Sequence, residues 1–262
     1  MKKWMKLTAL VLSLAMALSL LAGCGSSAGS DADSSTTGGD DAAKTKLVVA
    51  TSPDFPPFES LEGGQVVGIE VDILNKVAEK MGMELDIQQM DFDSVIPGVQ
   101  AGKFDVGMSG ITVTEKRKAN VDFSSVYFMA AQAIVVTADS GITGKADLEG
   151  KTVSVQTGTT AEDYCMANGY EVLAFTANND AAAALTGGKV DAWVVDNEVA
   201  LAMAPQLGLT VLDEAMTSEP YAFAFQKGSE LLSSFNEALD ALLADGTVEQ
   251  IFSDYGVTYI AP

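Results

Sequence analysis

The segment IEVDILNKVAEKM at residues 69–81, followed by Gly82 and by ELDIQ at residues 84–88, decides the fold. Apolar side chains recur three and four positions apart in the first segment, which predicts an amphipathic helix that ends at Gly82. The second segment predicts a short strand. A helix followed closely by a strand is the repeating unit of an α/β fold.

The same alternation of strands and helices extends outward from this segment over the chain from residue 46 onward. The predicted strands are residues 46–51, 84–88, 104–108, 131–137, 152–155, 190–195, 209–212 and 221–226. The predicted helices are residues 69–81, 94–101 with Asp93 as N-cap, 159–167, 180–185, 198–207, 230–244 and 248–255. We therefore expect an α/β fold.

The order of these elements predicts two lobes. Two helices follow the last predicted strand and no strand follows them, so we expect the C-terminal segment to complete the first lobe. The second lobe is then an insertion at residues 131–224. The first lobe comprises residues 45–130 and 225–262, and two crossing strands join the lobes.

The first 44 residues have the composition of an export signal and a linker. Three lysines among the first six residues precede an uncharged apolar run at residues 7–21. This run is shorter than the roughly 20 residues that a membrane-spanning helix needs, so we predict a signal peptide at residues 1–23. Residues 24–44 consist largely of Gly, Ser, Ala, Thr and Asp, which predicts a disordered tether.

The end of the apolar run, Leu21-Ala22-Gly23-Cys24, resembles the lipobox of bacterial lipoproteins. The resemblance implies cleavage before Cys24, acylation of its thiol and anchoring to the cell membrane by lipid. An ordinary signal peptide with a chance cysteine is the alternative. In either case the chain after Cys24 is expected to be extracytoplasmic.

The composition excludes several function classes. A formal net charge of −21 repels nucleic acid and anionic lipid headgroups, so we expect no nucleic-acid partner. The sequence has no histidine, which removes histidine-based catalysis and the commonest metal ligand. With Cys24 acylated, Cys165 has no partner for an intramolecular disulfide, and we expect it to be a partly buried apolar residue, with a reactive thiol as the alternative. We expect a monomer without metal or cofactor.

Candidate binding residues follow the predicted strand at 104–108. Strand ends of this kind form the ligand-binding edge of open α/β sheets. Gly110 allows close approach to the backbone, and Ser109 and Thr112 supply hydroxyl groups. Arg117, on a short helix capped by Thr114, can bind a carboxylate through two hydrogen bonds. The alternative for Arg117 is a surface residue in a basic run.

A second candidate lies at Gln156 and the residues that follow it. Thr159 and Glu162 match a capping box that opens a helix, and the free N–H groups of such an end, near Thr160, can bind an anion. A phosphate loop is excluded because its lysine is missing. Helix capping alone is the other alternative.

Asp196 and two aromatic residues complete the candidates. Asp196 ends an apolar strand and can pair with an ammonium group, although we favour an N-cap for the helix near Glu198. Phe55 and Phe92 follow the first and second strands. They can enclose a ligand side chain or fill the core.

Taken together, these segments resemble the extracellular solute-binding protein family 3, the polar amino-acid receptors of ABC importers, over residues 46–261. The motifs that carry the resemblance are Pro57-Phe58-Glu59, residues 68–72, residues 96–102, Phe104-Asp105-Val106, residues 112–117, Asp122-Phe123-Ser124, Gly158-Thr159-Thr160, residues 191–196 and Ala244-Asp245-Gly246-Thr247. The resemblance implies a two-lobed periplasmic-binding-protein fold of type II. It also implies an amino-acid ligand and an ABC permease as partners.

The resemblance also implies residue roles. It places the ligand α-carboxylate on Arg117 and on the amide of Thr160, and the α-ammonium on Asp196. Ser109, Gly110 and Thr112 complete this shell, and Phe55 and Phe92 flank the ligand side chain.

One position departs from the family pattern. Many members carry an acid where this chain has Ser52, so Asp54 or Glu59 would have to replace that acid for a cationic ligand. Two other functions remain open for this fold. One is a dehydratase acting on prephenate-like acids, of the cyclohexadienyl dehydratase kind, and the other is a ligand-sensing module.

Overall fold

The computed structural model describes residues 45–262. The predicted signal peptide, the predicted lipidation site Cys24 and the predicted tether lie outside the described residues. Among the described residues, no helix has the length and apolar character needed to cross a membrane.

The first part of the described chain alternates short strands with three helices. Its elements are β1 (Lys46–Thr51), β2 (Asp54–Phe55), β3 (Glu59–Glu62), β4 (Gln65–Val67), α1 (Ile69–Met81), β5 (Glu84–Gln89), α2 (Phe92–Gln100), β6 (Val106–Gly107), α3 (Glu115–Lys118), β7 (Val121–Phe123) and β8 (Phe128–Ala130).

The second part continues the alternation and ends in two helices. Its elements are β9 (Gln132–Val136), a 3-10 helix (Lys145–Leu148), β10 (Thr152–Gln156), α4 (Thr160–Ala167), β11 (Glu171–Phe175), α5 (Asn178–Thr186), β12 (Ala192–Asp196), α6 (Asn197–Leu207), β13 (Thr210–Val211), β14 (Glu219–Tyr221), β15 (Ala224–Gln226), α7 (Leu231–Ala244) and α8 (Thr247–Asp254).

Two five-stranded sheets form the centres of two lobes. The first sheet has the order β5-β1-β6-β15-β7; β1 runs parallel to β5 and β6, and β15 is antiparallel to β6 and β7. The second sheet has the order β11-β10-β12-β9-β13. In it, β10 runs parallel to β11 and β12, and β9 is antiparallel to β12 and β13. We call the lobe around each sheet the first and the second lobe.

The lobes are joined by β8 and β14, which pair antiparallel with Glu219 opposite Ala130 and Tyr221 opposite Phe128. The chain therefore crosses from the first lobe to the second and returns through two adjacent strands. The prediction of a two-lobed α/β fold with two crossing strands is confirmed.

The local predictions were least accurate where strands are short. The predicted strand at 221–226 is two strands, β14 and β15, which belong to different sheets. The predicted N-cap at Asp93 is wrong, because α2 begins at Phe92 and its N-cap position is Asp91. The small sheet β2-β3-β4 was not predicted, since its strands have only two to four residues.

Aromatic packing ties the C-terminal helices to the first lobe. The ring of Phe58 lies 5.2 Å from that of Tyr221 and 6.1 Å from that of Phe252, measured between centroids. Phe252, on α8, also stacks on Phe128 at 4.5 Å. Since all four side chains are fully buried, this cluster lies under the crossing strands and fixes their position.

Cys165 lies on α4 and is fully buried in the core of the second lobe. The prediction of an apolar packing residue is confirmed, although the side chain is fully rather than partly buried. Burial raises the pKa of its thiol to about 12, which keeps the thiol protonated and argues against the reactive-thiol alternative.

Candidate functional site

A narrow cavity lies between the lobes, with about 240 Å³ of space free of protein atoms, open solvent included. Ten of the twelve binding residues predicted from the sequence line it: Phe55, Phe92, Ser109, Gly110, Thr112, Arg117, Gln156, Thr159, Thr160 and Asp196. The cavity is therefore formed by the strand ends and helix starts of both lobes. Ser52 and Glu59 do not line it.

Arg117 forms one wall of the cavity. Its short helix α3 is capped by Thr114, whose hydroxyl accepts a hydrogen bond from the backbone N–H of Arg117 at 3.1 Å, as predicted. The guanidinium donates from Nη1 to the carbonyl of Thr112 at 2.9 Å and from Nη2 to the carbonyl of Gly158, in the other lobe, at 3.1 Å. Its Cζ lies 5.5 Å from the ring centroid of Phe92. These contacts fix the plane of the guanidinium.

Burial dominates the electrostatics of Arg117, which is only 8% exposed. Burial lowers its pKa, and the nearby carboxylates of Glu219 and Asp196 oppose that shift. Within residues 45–262, two of its five N–H donors bond the protein and three have no protein acceptor. The charge is therefore incompletely hydrogen-bonded.

The start of α4 faces Arg117 from the second lobe. The hydroxyl of Thr159 accepts a hydrogen bond from the N–H of Glu162 at 3.2 Å, as a capping box requires. The return bond differs from the predicted box, because Glu162 Oε2 accepts from Gly158, at 2.7 Å, rather than from Thr159. Thr160 is the first helical residue, and the helix start together with Arg117 favours an anion.

The two lobes approach each other closely at this point. Gly158 has a left-handed φ of 80°, and a Cβ there would lie 3.1 Å from the Cβ of Asp93 in the first lobe. The exposed pair Lys116 and Asp163 also spans the lobes, at 2.9 Å. The structure is therefore the closed arrangement of the lobes.

Asp196 forms the opposite side of the cavity. It ends β12 and occupies the N-cap position of α6, but its side chain makes no capping hydrogen bond, so the favoured interpretation as a helix cap is wrong. Its Oδ1 atom is buried and has no hydrogen-bond partner among residues 45–262. A cation in the cavity would supply one.

The pKa of Asp196 is raised to about 7, with burial as the largest cause. The negative charge of Glu219 contributes to this rise, whereas the side chains of Tyr221 and Gln132 oppose it. The ionised form is therefore destabilised in this arrangement, and a positive charge beside it would restore that form.

Gly110 lies directly under the ring of Phe55. Its φ is 52°, and a Cβ there would lie 2.4 Å from Cε1 of Phe55. Its N–H donates to Oε2 of the buried Glu70 at 2.9 Å. The glycine therefore allows the aromatic ring to form the cavity wall, while its amide is bound to the protein.

Glu59 and Ser52 lie behind the cavity wall. The hydroxyl of Ser109 donates to Oε1 of Glu59 at 3.0 Å and accepts from the N–H of Ser52 at 3.2 Å. Glu59 is fully buried, and burial together with the adjacent Glu70 raises its pKa well above the ordinary value. The hydroxyl of Ser52 donates to Oδ1 of Asp54 at 2.9 Å. These side chains support the site from outside.

Sequence reasoning missed three polar residues around Asp196. Gln132 is fully buried and donates from Nε2 to the hydroxyl of Thr160 at 3.3 Å. Tyr221 and Glu219 lie on β14, and both influence the pKa of Asp196. The backbone of Tyr221 also forms an isolated antiparallel β-bridge with Thr112. A lone glutamine inside the apolar segment AAQAIVV was a signal that could have identified Gln132.

The sequence model of one protein family, the bacterial extracellular solute-binding proteins, family 3, matches residues 47–258 of this chain. The chain belongs to this family. The resemblance predicted from the motifs is thus confirmed.

Individual relatives cover nearly the whole domain. The arginine-binding extracellular protein ArtP of Bacillus subtilis strain 168 is 34% identical over 259 residues, which is 96% of each chain. An ancestral arginine-binding protein, solved with glutamine and with arginine, is 41% identical to this family 3 chain; it covers 81% of this chain and 98% of its own, with TM-scores of 0.77 and 0.76. The ancestral amino-acid-binding protein AncCDT-1, a precursor of cyclohexadienyl dehydratase, is 35% identical, with a TM-score of 0.75 over 80% of this chain and 95% of its own.

Proposed function

We propose that the protein binds one small polar α-amino acid between its lobes and delivers it to an ABC permease. The observation that carries this proposal is the separation of charge in the cavity. Arg117 and the start of α4 favour a carboxylate, and the unpartnered Oδ1 of Asp196 favours an ammonium group. The zwitterion of an α-amino acid carries these two charged groups on one carbon atom.

The narrowness of the cavity supports a small ligand. The space free of protein atoms between its walls is about 240 Å³, open solvent included. Phe55 and Phe92 supply apolar walls, so the ligand side chain lies against aromatic rings.

Binding and closure are coupled in this proposal. Arg117 belongs to the first lobe, whereas Thr160 and Asp196 belong to the second, so only the closed arrangement supplies all partners of the zwitterion. A ligand that gains these contacts only in the closed state stabilises that state by hinge closure. The closed form is the one that docks on the permease.

A thermal-shift screen tests the ligand class. We expect one or a few polar α-amino acids, with L-arginine and L-glutamine as the first probes, to raise the melting temperature, because a ligand that binds only the folded protein stabilises it. Sugars and divalent metals are the controls. A shift with these controls and none with any amino acid would contradict the proposal.

The relationship to AncCDT-1 makes an enzyme the second candidate. We propose that this chain is not an enzyme, since its sequence has no histidine for acid–base catalysis. Incubation with the bound amino acid and with prephenate-like acids, followed by mass spectrometry, should recover each compound unchanged. Formation of a dehydrated product would support the dehydratase, and co-purification with a kinase instead of a permease would support a sensor.

We further propose that Cys24 carries lipid and holds the protein at the outer side of the cell membrane. Labelled palmitate should be incorporated into the full chain and lost in Cys24→Ser, which should move from the membrane fraction to the soluble fraction. Cys165→Ser is the matched control and should keep the label, because Cys165 is buried. Labelling of Cys24→Ser at the original level would contradict the anchor.

A further inference from the structure

Asp54 connects the lobes beside the cavity: it does not line the cavity itself, but Gln156, one of its partners, does. It lies on β2 of the first lobe, and its Oδ2 accepts hydrogen bonds from the backbone N–H of Asn178 at 2.7 Å and from Nε2 of Gln156 at 3.3 Å. Both donors belong to the second lobe. The hydroxyl of Ser52, in its own lobe, donates to Oδ1 at 2.9 Å. Burial raises the pKa of Asp54, and these donors lower it.

The N–H group of Asn178 lies at the start of helix α5. This helix has no N-cap side chain from its own lobe. Asn178 is the first residue of α5, and the N-cap position is Ala177, whose side chain has no acceptor. Asp54 therefore places a carboxyl group from the first lobe at the N-terminus of a helix in the second. A negative group is favoured at that end of a helix.

The donors are held in place by the second lobe alone. Gln156 Nε2 also donates to the carbonyl of Thr176 at 3.1 Å, and Gln156 Oε1 accepts from Nδ2 of Asn178 at 2.9 Å. These bonds do not involve the first lobe, so they persist when the lobes separate. The bonds to Asp54 do not.

We propose that Asp54 is a positioning residue that holds the two lobes closed by capping α5 across the cleft, without contacting the ligand. The inference rests on the proposed function only in treating the cleft as a site that opens and closes. Asp54 does not line the cavity, and its carboxyl group is occupied by donors of the protein. It therefore sets how easily the lobes part, and hence the rate at which a bound amino acid leaves.

The first test measures the distance between the lobes in the ligand-free protein. Spin labels at Lys103→Cys and Lys189→Cys report this distance in the full chain with Cys24→Ser, because both positions are exposed and Cys165 is buried. Asp54→Ala should shift the distribution toward longer distances. An unchanged distribution would overturn the proposal, whatever the ligand proves to be.

The second test measures ligand release by stopped flow with L-arginine and L-glutamine. Asp54→Ala should release the bound probe about tenfold faster, which corresponds to about 1.4 kcal/mol. Asp163→Ala is the matched control: it removes the exposed interlobe pair with Lys116 and should change release little. Failure of both probes to bind would count against the proposed function and leave the distance test to decide on Asp54.

A rescue variant separates helix capping from lobe closure. Ala177→Ser, added to Asp54→Ala, supplies a cap from within the second lobe and should recover the thermal stability that Asp54→Ala loses. It should not restore the short interlobe distance. Recovery of that distance would show that Asp54 acts only on the helix, and the proposal would fail.

Discussion

Replacement of Arg117 by alanine is expected to weaken amino-acid binding at least about thirtyfold, which corresponds to about 2 kcal/mol. The guanidinium is buried and oriented by Thr112 and Gly158, so the ligand carboxylate meets donors that are already in place. Hydrogen bonds to charged groups contribute about 1.5–3 kcal/mol each. Isothermal titration calorimetry with the amino acid found in the screen measures the loss.

Two further variants sharpen this test. Arg117→Lys keeps the positive charge but cannot hold two carbonyls and a carboxylate in one plane, so we expect intermediate affinity. Lys116→Ala is the control, because Lys116 is adjacent in sequence and exposed. Thermal unfolding of each ligand-free variant checks that the fold is intact. Affinity in Arg117→Ala equal to that of the natural protein would remove Arg117 from the site.

The affinity for an amino acid is expected to fall about tenfold per pH unit below about pH 7, through Asp196. Burial gives this carboxyl a pKa of about 7 in the closed arrangement, and a ligand ammonium favours its ionised form. The bound pKa is then lower than the free one, so binding releases a proton. The contribution of Asp196 to affinity is complete above its pKa in the ligand-free protein, and it is lost as the pH falls below that value.

Calorimetry in buffers of different ionisation enthalpy measures the released proton. Asp196→Asn should bind more weakly and lose this pH dependence. Glu198→Gln is the matched control, because Glu198 is a largely buried acid two residues away that does not line the cavity. A pH dependence that persists in Asp196→Asn would assign the proton to another group.

The free energy of unfolding of the ligand-free protein should fall as the pH rises, whereas the affinity for the amino acid should rise. The pKa of Asp196 is raised in the folded state above its ordinary value of 3.8. Its contribution to the free energy of unfolding is thus fully present below the unfolded pKa and is lost as the pH rises through about 7. Denaturant titrations of the natural protein and of Asp196→Asn measure this contribution.

Much of the fold could be predicted because its signals are local. The helix at residues 69–81 was located to the residue from its apolar spacing and from Gly82, which ends it in a left-handed conformation. Each candidate was located because it follows the C-terminal end of a predicted strand, where open α/β sheets bind ligands. Arg117 and Thr160 follow strands of different sheets, and the resemblance to family 3 assigned them to one site.

The remaining features depend on contacts between residues far apart in sequence. Ser109 looked like a free hydroxyl, but it is bonded to Glu59 and Ser52, 50 and 57 residues away. Asp196 looked like a helix cap because the sequence shows its place before α6 but not the direction of its side chain. Local patterns do not contain this information.

The order of the first sheet also constrains when that sheet can form during synthesis. β15 is its last strand in the chain, yet it lies between β6 and β7 and provides the pairing that connects β7 to the rest. The second sheet, in contrast, uses only strands from the contiguous segment between β9 and β13. A nascent chain can therefore complete the sheet of the second lobe before the last strand of the first sheet is made. A truncation before residue 224 would leave β7 without a strand partner and β6 paired only with β1.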